Sequence, residues 1–449
     1  MNKYFFIGVA GVGMSAIAQY LANTGNIVYG SDRLFVTEPN HKVRQQLEAE
    51  NIKTFVQGEA KIEIDTDFVV VSTAIEPTVP EYKQALDLNI PVIHRSEMLK
   101  KITQSKKTIA IAGTSGKSST TAILYTILHE NGFCPSMLNG SGLASLQKNG
   151  KIGNAAVGKG DWLVIEADES DGTLVNYTPE IGLILNIDRD HKEFEELEKI
   201  FGQFASQVTE QLIVNLANER SKKFSNGSKY DFGTTKTDFF AENISQKAEG
   251  LYFSIKNVDF FIPAIGLHNV ENATSAISIA NYLGISLEDI ASALKEYAGI
   301  DRRMQILGSK NGITFIDDYA HNPAKIESAI KTAQVLGNRV FAFFQPHGFT
   351  PLKFMKDELI EKLQNTMRAE DEFYLSEVFY AGGTVSKTIT SDDVVEEIKT
   401  KNINAYLSQP RDNFALQIKD KLQSGDIILL MGARDPSLGK FAEGQYLEL

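Results

Sequence analysis

A single cysteine, Cys134, in 449 residues leaves no partner for an internal disulfide and fits a reducing compartment. It stands in the loop-like stretch Gly132-Phe133-Cys134-Pro135, where an incidental thiol is expected rather than a nucleophile. Long apolar runs are also missing. No stretch approaches the roughly 20 residues of a membrane helix, so no membrane insertion is expected. No signal-peptide pattern opens the chain, because Met1-Asn2-Lys3 leads straight into a strand pattern and a glycine turn. Positive charge is in deficit, with 45 Lys and Arg against 57 Asp and Glu, a net charge of −12. That balance argues against nucleic acid or a membrane surface as partner, although a locally basic pocket still admits an anionic small substrate. Heptads, low-complexity tracts and short repeats are absent. These absences point to a soluble cytoplasmic protein, and the length suggests about three domains.

What is present is organised around residues 109–119, Ile-Ala-Ile-Ala-Gly-Thr-Ser-Gly-Lys-Ser-Ser. Alternating β-branched and small apolar residues read as a strand, Gly113-Thr114-Ser115-Gly116 as a turn, and the segment through Glu130 as a helix. Bare backbone N–H groups and the helix dipole at such a turn favour phosphate oxygens. Lys117 is placed to reach the β- and γ-phosphates, and the Ser118 hydroxyl to ligate Mg²⁺. The general pattern has a glycine five residues before Gly116, where this chain has Ile111.

A second glycine turn comes first in the chain. Tyr4 to Ile7 reads as a strand, followed by Gly8-Val9-Ala10-Gly11-Val12-Gly13-Met14-Ser15-Ala16 and a helix through Asn23. Gly11-x-Gly13-x-x-Ala16, with Asp32 after the next strand, is close to a dinucleotide fingerprint. Alone it supports an NAD-dependent oxidoreductase as well as any other nucleotide-binding fold, and Asp32 reads equally as a strand end. Further β/α alternation follows, with strands at 54–56, 68–72 and 91–93, so a parallel sheet with helices on both faces is expected. Residues 100–107 read as a linker.

Beyond the lysine turn, strand 161–165 delivers Glu166-Ala167-Asp168-Glu169-Ser170-Asp171, and strand 181–187 delivers Asp188-Arg189-Asp190-His191. Ligands gather at the carboxyl ends of strands in such sheets, so both clusters belong at the edge that carries the lysine turn. His268-Asn269-Val270-Glu271-Asn272 opens a small-residue helix. Asn269 reads as a helix cap, which leaves Asn272 as the base-contact candidate. A third α/β pattern starts near 301, with strands ending in Asp317-Asp318-Tyr319-Ala320-His321, Gln345-Pro346-His347-Gly348 and Gly432-Ala433-Arg434-Asp435.

Taken in order, these motifs, with Arg302-Arg303, resemble the Mur ligases, ATP-dependent amino-acid ligases of peptidoglycan synthesis, and the alanine-adding branch most closely. The resemblance covers nearly the whole chain. It implies an α/β protein of three domains: a Rossmann-like UDP-sugar-binding domain over 1–106, a P-loop ATPase over 107–300, and a Rossmann-like amino-acid-binding domain over 301–449. It implies ATP and Mg²⁺ as cofactors, UDP-N-acetylmuramate and an amino acid or peptide as substrates, and a monomer or homodimer. L-Alanine is the expected amine, joined to the substrate carboxylate through an acyl phosphate. A recycling ligase that attaches a murein peptide is the alternative within the family.

By the same resemblance, Gly11, Gly13, Ser15, Asp32 and Ser72 hold the UDP-sugar, so the first glycine turn takes a diphosphate rather than NAD. Gly113, Thr114, Ser115, Gly116, Lys117 and Ser118 hold the ATP phosphates, Asn272 faces adenine, Arg303 the phosphates and Asp318 the ribose. Ser118 holds one Mg²⁺, while Glu166 and His191 hold a second, with Glu169 a further candidate for that work. Lys117, Glu166, His191 and His321 are the expected catalytic residues, and Tyr319 and His347 the amino-acid-binding ones. The chain departs from the branch pattern at Gly58-Glu59, Ser115, Ser118 and Arg434, the last standing where a glycine is common. The sharpest departure comes where that pattern reads His-Arg-aromatic-Thr-Arg and this chain has His347-Gly348-Phe349-Thr350-Pro351. A desolvated arginine fork on a carboxylate contributes on the order of 2–5 kcal/mol. Its loss therefore leaves Lys353, Arg434 or Lys440 as substitutes, or changes the amine.

Overall fold

The computed structural model describes residues 1–169, 172–188, 193–380, 389–435 and 437–448. Three large sheets and one small one carry the fold. The first has strands β1 Lys3–Ile7, β2 Ile27–Asp32, β3 Lys53–Val56, β4 Phe68–Val71 and β5 Val92–His94, in the order β3-β2-β1-β4-β5. All its pairings are parallel. Its central strand is apolar on both faces, with Phe5, Phe6 and Ile7 fully buried, as helix-covered parallel strands require.

The second sheet comprises β6 Lys107–Ala112, β7 Ser136–Leu138, β8 Ala155–Ala156, β9 Trp162–Glu166, β10 Ile181–Ile184 and β11 Gln211–Val214, in the order β11-β10-β6-β9-β7-β8. This order places β6 between β9 and β10. The turn leaving β6 therefore lies beside both the Glu166 end of β9 and the segment following β10. The helix after that turn, Lys117–Glu130, is buried from Ser118 through Leu128, which explains why its charged residues are confined to its ends. A small sheet of β12 Glu242–Lys247, β13 Gly250–Ile255 and β14 Val258–Ile262 follows.

The last sheet has β15 Gln305–Lys310, β16 Ile313–Asp318, β17 Val340–Gln345, β18 Glu372–Ser376, β19 Ala405–Ser408 and β20 Ile427–Gly432, ordered β15-β16-β20-β17-β18-β19. Only β15 runs antiparallel. Helices Pro323–Leu336, Phe349–Thr366 and Ser391–Lys399 share one apolar cluster. Phe414, Ile418, Leu438 and Phe441 of the helices flanking β20 build another. The chain thus leaves β20 toward one face and leaves its neighbours β16 and β17 toward the other.

By internal contacts the chain forms two compact units. One comprises Met1–Ser245, Tyr252–Pro263 and His268–Ile300, the other Gln246–Leu251, Ala264–Leu267 and Asp301–Leu449. The expected linker at 100–107 is not one: Arg95–Thr103 is a helix and β6 begins at Lys107. Met98, Leu99 and Ile102 are buried, so an apolar face hidden among lysines carries this helix into the core. The small-residue helix begins at His268, so Asn269, which reads as its cap, lies inside its first turn. No helix among the described residues is long and apolar enough to cross a membrane.

Candidate active site

The lysine turn is built by its neighbours. Gly116 sits at φ +85°, a backbone conformation that favours glycine, and a Cβ there would lie 2.4 Å from Asn272 Oδ1. Asn272 therefore packs on the turn from the first part of its helix, and its Nδ2 donates to Asn269 Oδ1 at 3.1 Å. From the other side, Asn186 Oδ1 accepts from Thr114 Oγ1 at 2.9 Å and Ser115 N at 2.8 Å. Asn186 Nδ2 in turn donates to Ser115 O at 3.1 Å. Thr114 Oγ1 also accepts from Asp188 N at 3.0 Å. Thr114 is thus taken up in holding the turn. Asn186, which the sequence gave no role, is its main strut.

The charged groups converge as the strand order requires. Lys117 Nζ donates to Glu169 Oε2 at 2.7 Å and Gly113 O at 2.8 Å, and lies 3.6 Å from Asp168. Burial works against its charge, but Glu169, Asp168 and Glu166 outweigh burial and hold its pKa above the usual lysine value. Burial pushes Glu169 up, and Lys117 pulls it back. The pair keeps a fixed cation at the helix N-terminus. Ser118 Oγ donates to Glu166 Oε2 at 2.7 Å, and Gly140 N donates to the same oxygen at 2.7 Å. Hydroxyl and carboxylate therefore meet beside the cation, the kind of oxygen pair that Mg²⁺ uses together with waters and phosphates. Among the described residues no three His, Cys, Asp or Glu side chains converge as a metal cage. His191 lies outside the described residues.

The first glycine turn is held differently. Asp32 Oδ2 accepts from Ala10 N at 2.8 Å and Oδ1 from Leu34 N at 2.9 Å. Ser15 is buried, with its hydroxyl donating to Val12 O at 3.0 Å and accepting from Asn154 Nδ2 at 2.9 Å. Both side chains are engaged inside the protein. Gly11 N donates to Gly8 O at 3.2 Å, so what the turn offers a ligand is backbone N–H at Val12 and Gly13, the first residues of the helix Val12–Asn23. Ser72 follows β4 at the same sheet edge. The sequence missed Arg95, whose Nη1 would be 2.9 Å from a Cβ at Gly13. Its signal was position, one residue beyond β5 at the carboxyl edge.

In the last sheet, Tyr319, His321 and His347 come together. His321 Nδ1 lies 2.9 Å from Tyr319 O. The ring centroids are 5.5 Å apart for Tyr319 and His321 and 5.7 Å for His321 and His347. Arg303 is exposed and stacks on Tyr319, 5.1 Å from its centroid. Arg302 is instead spent internally: Nε faces both Asp317 oxygens at 3.3 and 3.2 Å, and Nη2 donates to Gly432 O at 2.7 Å. Burial nevertheless pushes Asp317 up to about 6, against the pull of Arg302 and with help from Asp318 and Asp301. Asp318 accepts from Met304 N at 2.7 Å and Ala320 N at 2.8 Å, so its carboxylate shapes the turn that displays Arg303. Another arginine unforeseen in the sequence, Arg411, donates to Gln345 Oε1 at 3.0 Å and Ser437 Oγ at 2.6 Å, and pairs with Asp435.

Family models match almost end to end. Residues 3–107 match the model described as Mur ligase family, catalytic domain, residues 111–280 the Mur ligase middle domain, and residues 302–434 the Mur ligase, glutamate ligase domain. The chain belongs to the Mur ligase family. Among its relatives, the UDP-N-acetylmuramate–L-alanine ligase of Dictyoglomus turgidum is 33% identical, over 96% of this chain and 94% of its own. That of Carboxydothermus hydrogenoformans is 32% identical, over 96% and 94%. In fold, the chain superposes on the UDP-N-acetylmuramate–alanine ligase of Thermotoga maritima with a TM-score of 0.83 at 24% identity, covering 100% of both chains. A murein peptide ligase of Psychrobacter arcticus gives 0.66 at 22%, covering 100% and 98%. Mur ligase membership sets aside the oxidoreductase reading of the first glycine turn.

Proposed function

We propose that this chain is an ATP-dependent ligase that joins L-alanine to the carboxylate of UDP-N-acetylmuramate in peptidoglycan precursor synthesis, in the cytoplasm. The observation that carries this reading is the half-buried Lys117 cation, held by Glu169 beside the Ser118–Glu166 oxygen pair, in a chain whose 32–33% identical relatives bear that activity in their names.

A carboxylate is a poor acyl donor because oxide would have to leave. Transfer of the ATP γ-phosphoryl group to a carboxylate oxygen forms an acyl phosphate and releases ADP. The amine then attacks the acyl carbon, loses a proton, and phosphate departs with the C–O bond. Both steps gather negative charge on a few oxygens, where a preorganised cation is worth most. Lys117 supplies that cation, released from Glu169 when phosphate oxygens replace the carboxylate. Ser118 and Glu166 would hold Mg²⁺, which neutralises phosphate charge when bound. Asn272 borders the lysine turn and is the adenine contact, with Arg303 for phosphate and Asp318 for ribose. The turn at Gly11 and Gly13, with Asp32, Ser15 and Ser72 shaping its edge, takes the UDP diphosphate. His321, with Tyr319 and His347, receives the amine.

The test is phosphate release from Mg-ATP with UDP-N-acetylmuramate across a panel of L-alanine, glycine, L-serine and L-alanyl-γ-D-glutamyl peptide. Turnover with L-alanine is the expected result. Turnover with the peptide alone would replace the biosynthetic reading by a recycling one.

A further inference from the structure

Gly348 and Pro351 leave the turn after β17 without an arginine for the amine's carboxylate. Gly348 caps the helix Phe349–Thr366 with φ +84°, and a Cβ there would meet Pro351 Cδ at 3.2 Å. The compensating charge belongs to the neighbouring strand. β20 leaves its sheet toward the opposite face from β16 and β17, so its carboxyl end is the point where a doubly wound sheet opens a crevice for ligands. Two residues beyond its end at Gly432, the loop Gly432-Ala433-Arg434-Asp435 holds an arginine in a left-handed backbone conformation, φ +60° at Arg434.

Such a conformation is unfavourable for a side chain with a Cβ and persists only where the surroundings impose it. Here they do. Asp435, 5% exposed, pairs with Arg411 and accepts from Ser437 N at 2.9 Å. Asp435 N donates to Ala433 O at 2.7 Å, and Arg411 is braced on Gln345 at the end of β17. Arg434 itself is exposed, and no hydrogen bond or ion pair engages its guanidinium among the described residues. An unspent cation, held in a strained loop at the switch of the sheet, is what recognition of an anionic group requires.

We propose that Arg434 binds the carboxylate of the incoming amino acid, and that the Arg411–Asp435 pair is the positioning device that holds its loop. The proposal rests on the reading that the amine substrate is an α-amino acid, and it sets specificity by charge. Binding through one guanidinium requires a free carboxylate on the amine but little of its side chain.

The test compares wild type with Arg434→Gly and Arg434→Lys, using L-alanine and its carboxylate-free analogue L-alaninamide as amines. Glycine suits the left-handed position, so Arg434→Gly should keep the thermal unfolding midpoint. Its KM for L-alanine should rise about tenfold or more, with KM for ATP and for UDP-N-acetylmuramate unchanged and kcat within about threefold. The wild-type preference for L-alanine over L-alaninamide should collapse in Arg434→Gly and be partly restored in Arg434→Lys. Wild type that uses L-alanine, with an unchanged KM and an unchanged preference in Arg434→Gly, would overturn this role while leaving the ligase reading intact. Wild type that uses no amino acid at all would overturn both.

Discussion

The two glycine turns of this chain share a backbone plan and differ in what fills it. Each follows a central parallel strand, β1 or β6, and opens a helix. The first is closed by a carboxylate, Asp32, accepting backbone N–H from Ala10 and Leu34. It carries no cation of its own and borrows Arg95 from beyond β5. The second carries its cation within it, and Lys117 pairs with Glu169 at 2.7 Å. Backbone geometry alone therefore makes a place for phosphate. Under the proposed function, charge placement decides whether the phosphate is only held or also transferred.

The sharpest way to break this contrast is Lys117→Met. Phosphate release should fall on the order of 10²–10³-fold, and the buried Glu169 left without its partner should cost about 3 kcal/mol of stability. The double variant Lys117→Met/Glu169→Gln should regain most of the stability in a thermal melt and none of the turnover. Recovery of turnover would remove Lys117 from the chemistry.

Next in size is a matched pair of alanine substitutions. Gly116→Ala places a Cβ against Asn272 from a left-handed backbone, and should cost about 1–3 kcal/mol and most of the ATP affinity. Gly13→Ala meets only the tip of Arg95, a side chain able to move. Stability should hold within about 0.5 kcal/mol, and the change should appear as a higher KM for UDP-N-acetylmuramate. Calorimetric ATP titration separates the two. Smallest is Asp32→Asn, which keeps one acceptor and loses the charge. A drop of about 1 kcal/mol with unchanged ATP affinity is expected.

The contrast also explains what could be read from residues alone. Strand-turn-helix order, the three α/β patterns and the lysine turn were legible because glycine, lysine and apolar periodicity are local signals. Glu166 and Glu169 were legible because strand ends in a parallel sheet share an edge. Asn186, Arg95 and Arg411 were not, since each acts through a partner more than 60 residues away in sequence: Asn186 on Ser115, Arg95 on Gly13, and Arg411 on Gln345. Resemblance named Arg303 over Arg302, but the residues themselves carried no local signal that separates the two. Only the buried Asp317 beside Arg302 divides a structural arginine from an exposed one. The helix Arg95–Thr103 passed for a linker because its lysines concealed Met98, Leu99 and Ile102.

The most direct test of the chemistry assigned to the lysine turn is isotopic. UDP-N-acetylmuramate carrying ¹⁸O in both carboxylate oxygens would be turned over with Mg-ATP and L-alanine, and the released phosphate analysed by mass. Activation through an acyl phosphate places one ¹⁸O in each phosphate and leaves the other in the new amide. Unlabelled phosphate, with amide still formed, would contradict phosphoryl transfer to the substrate carboxylate.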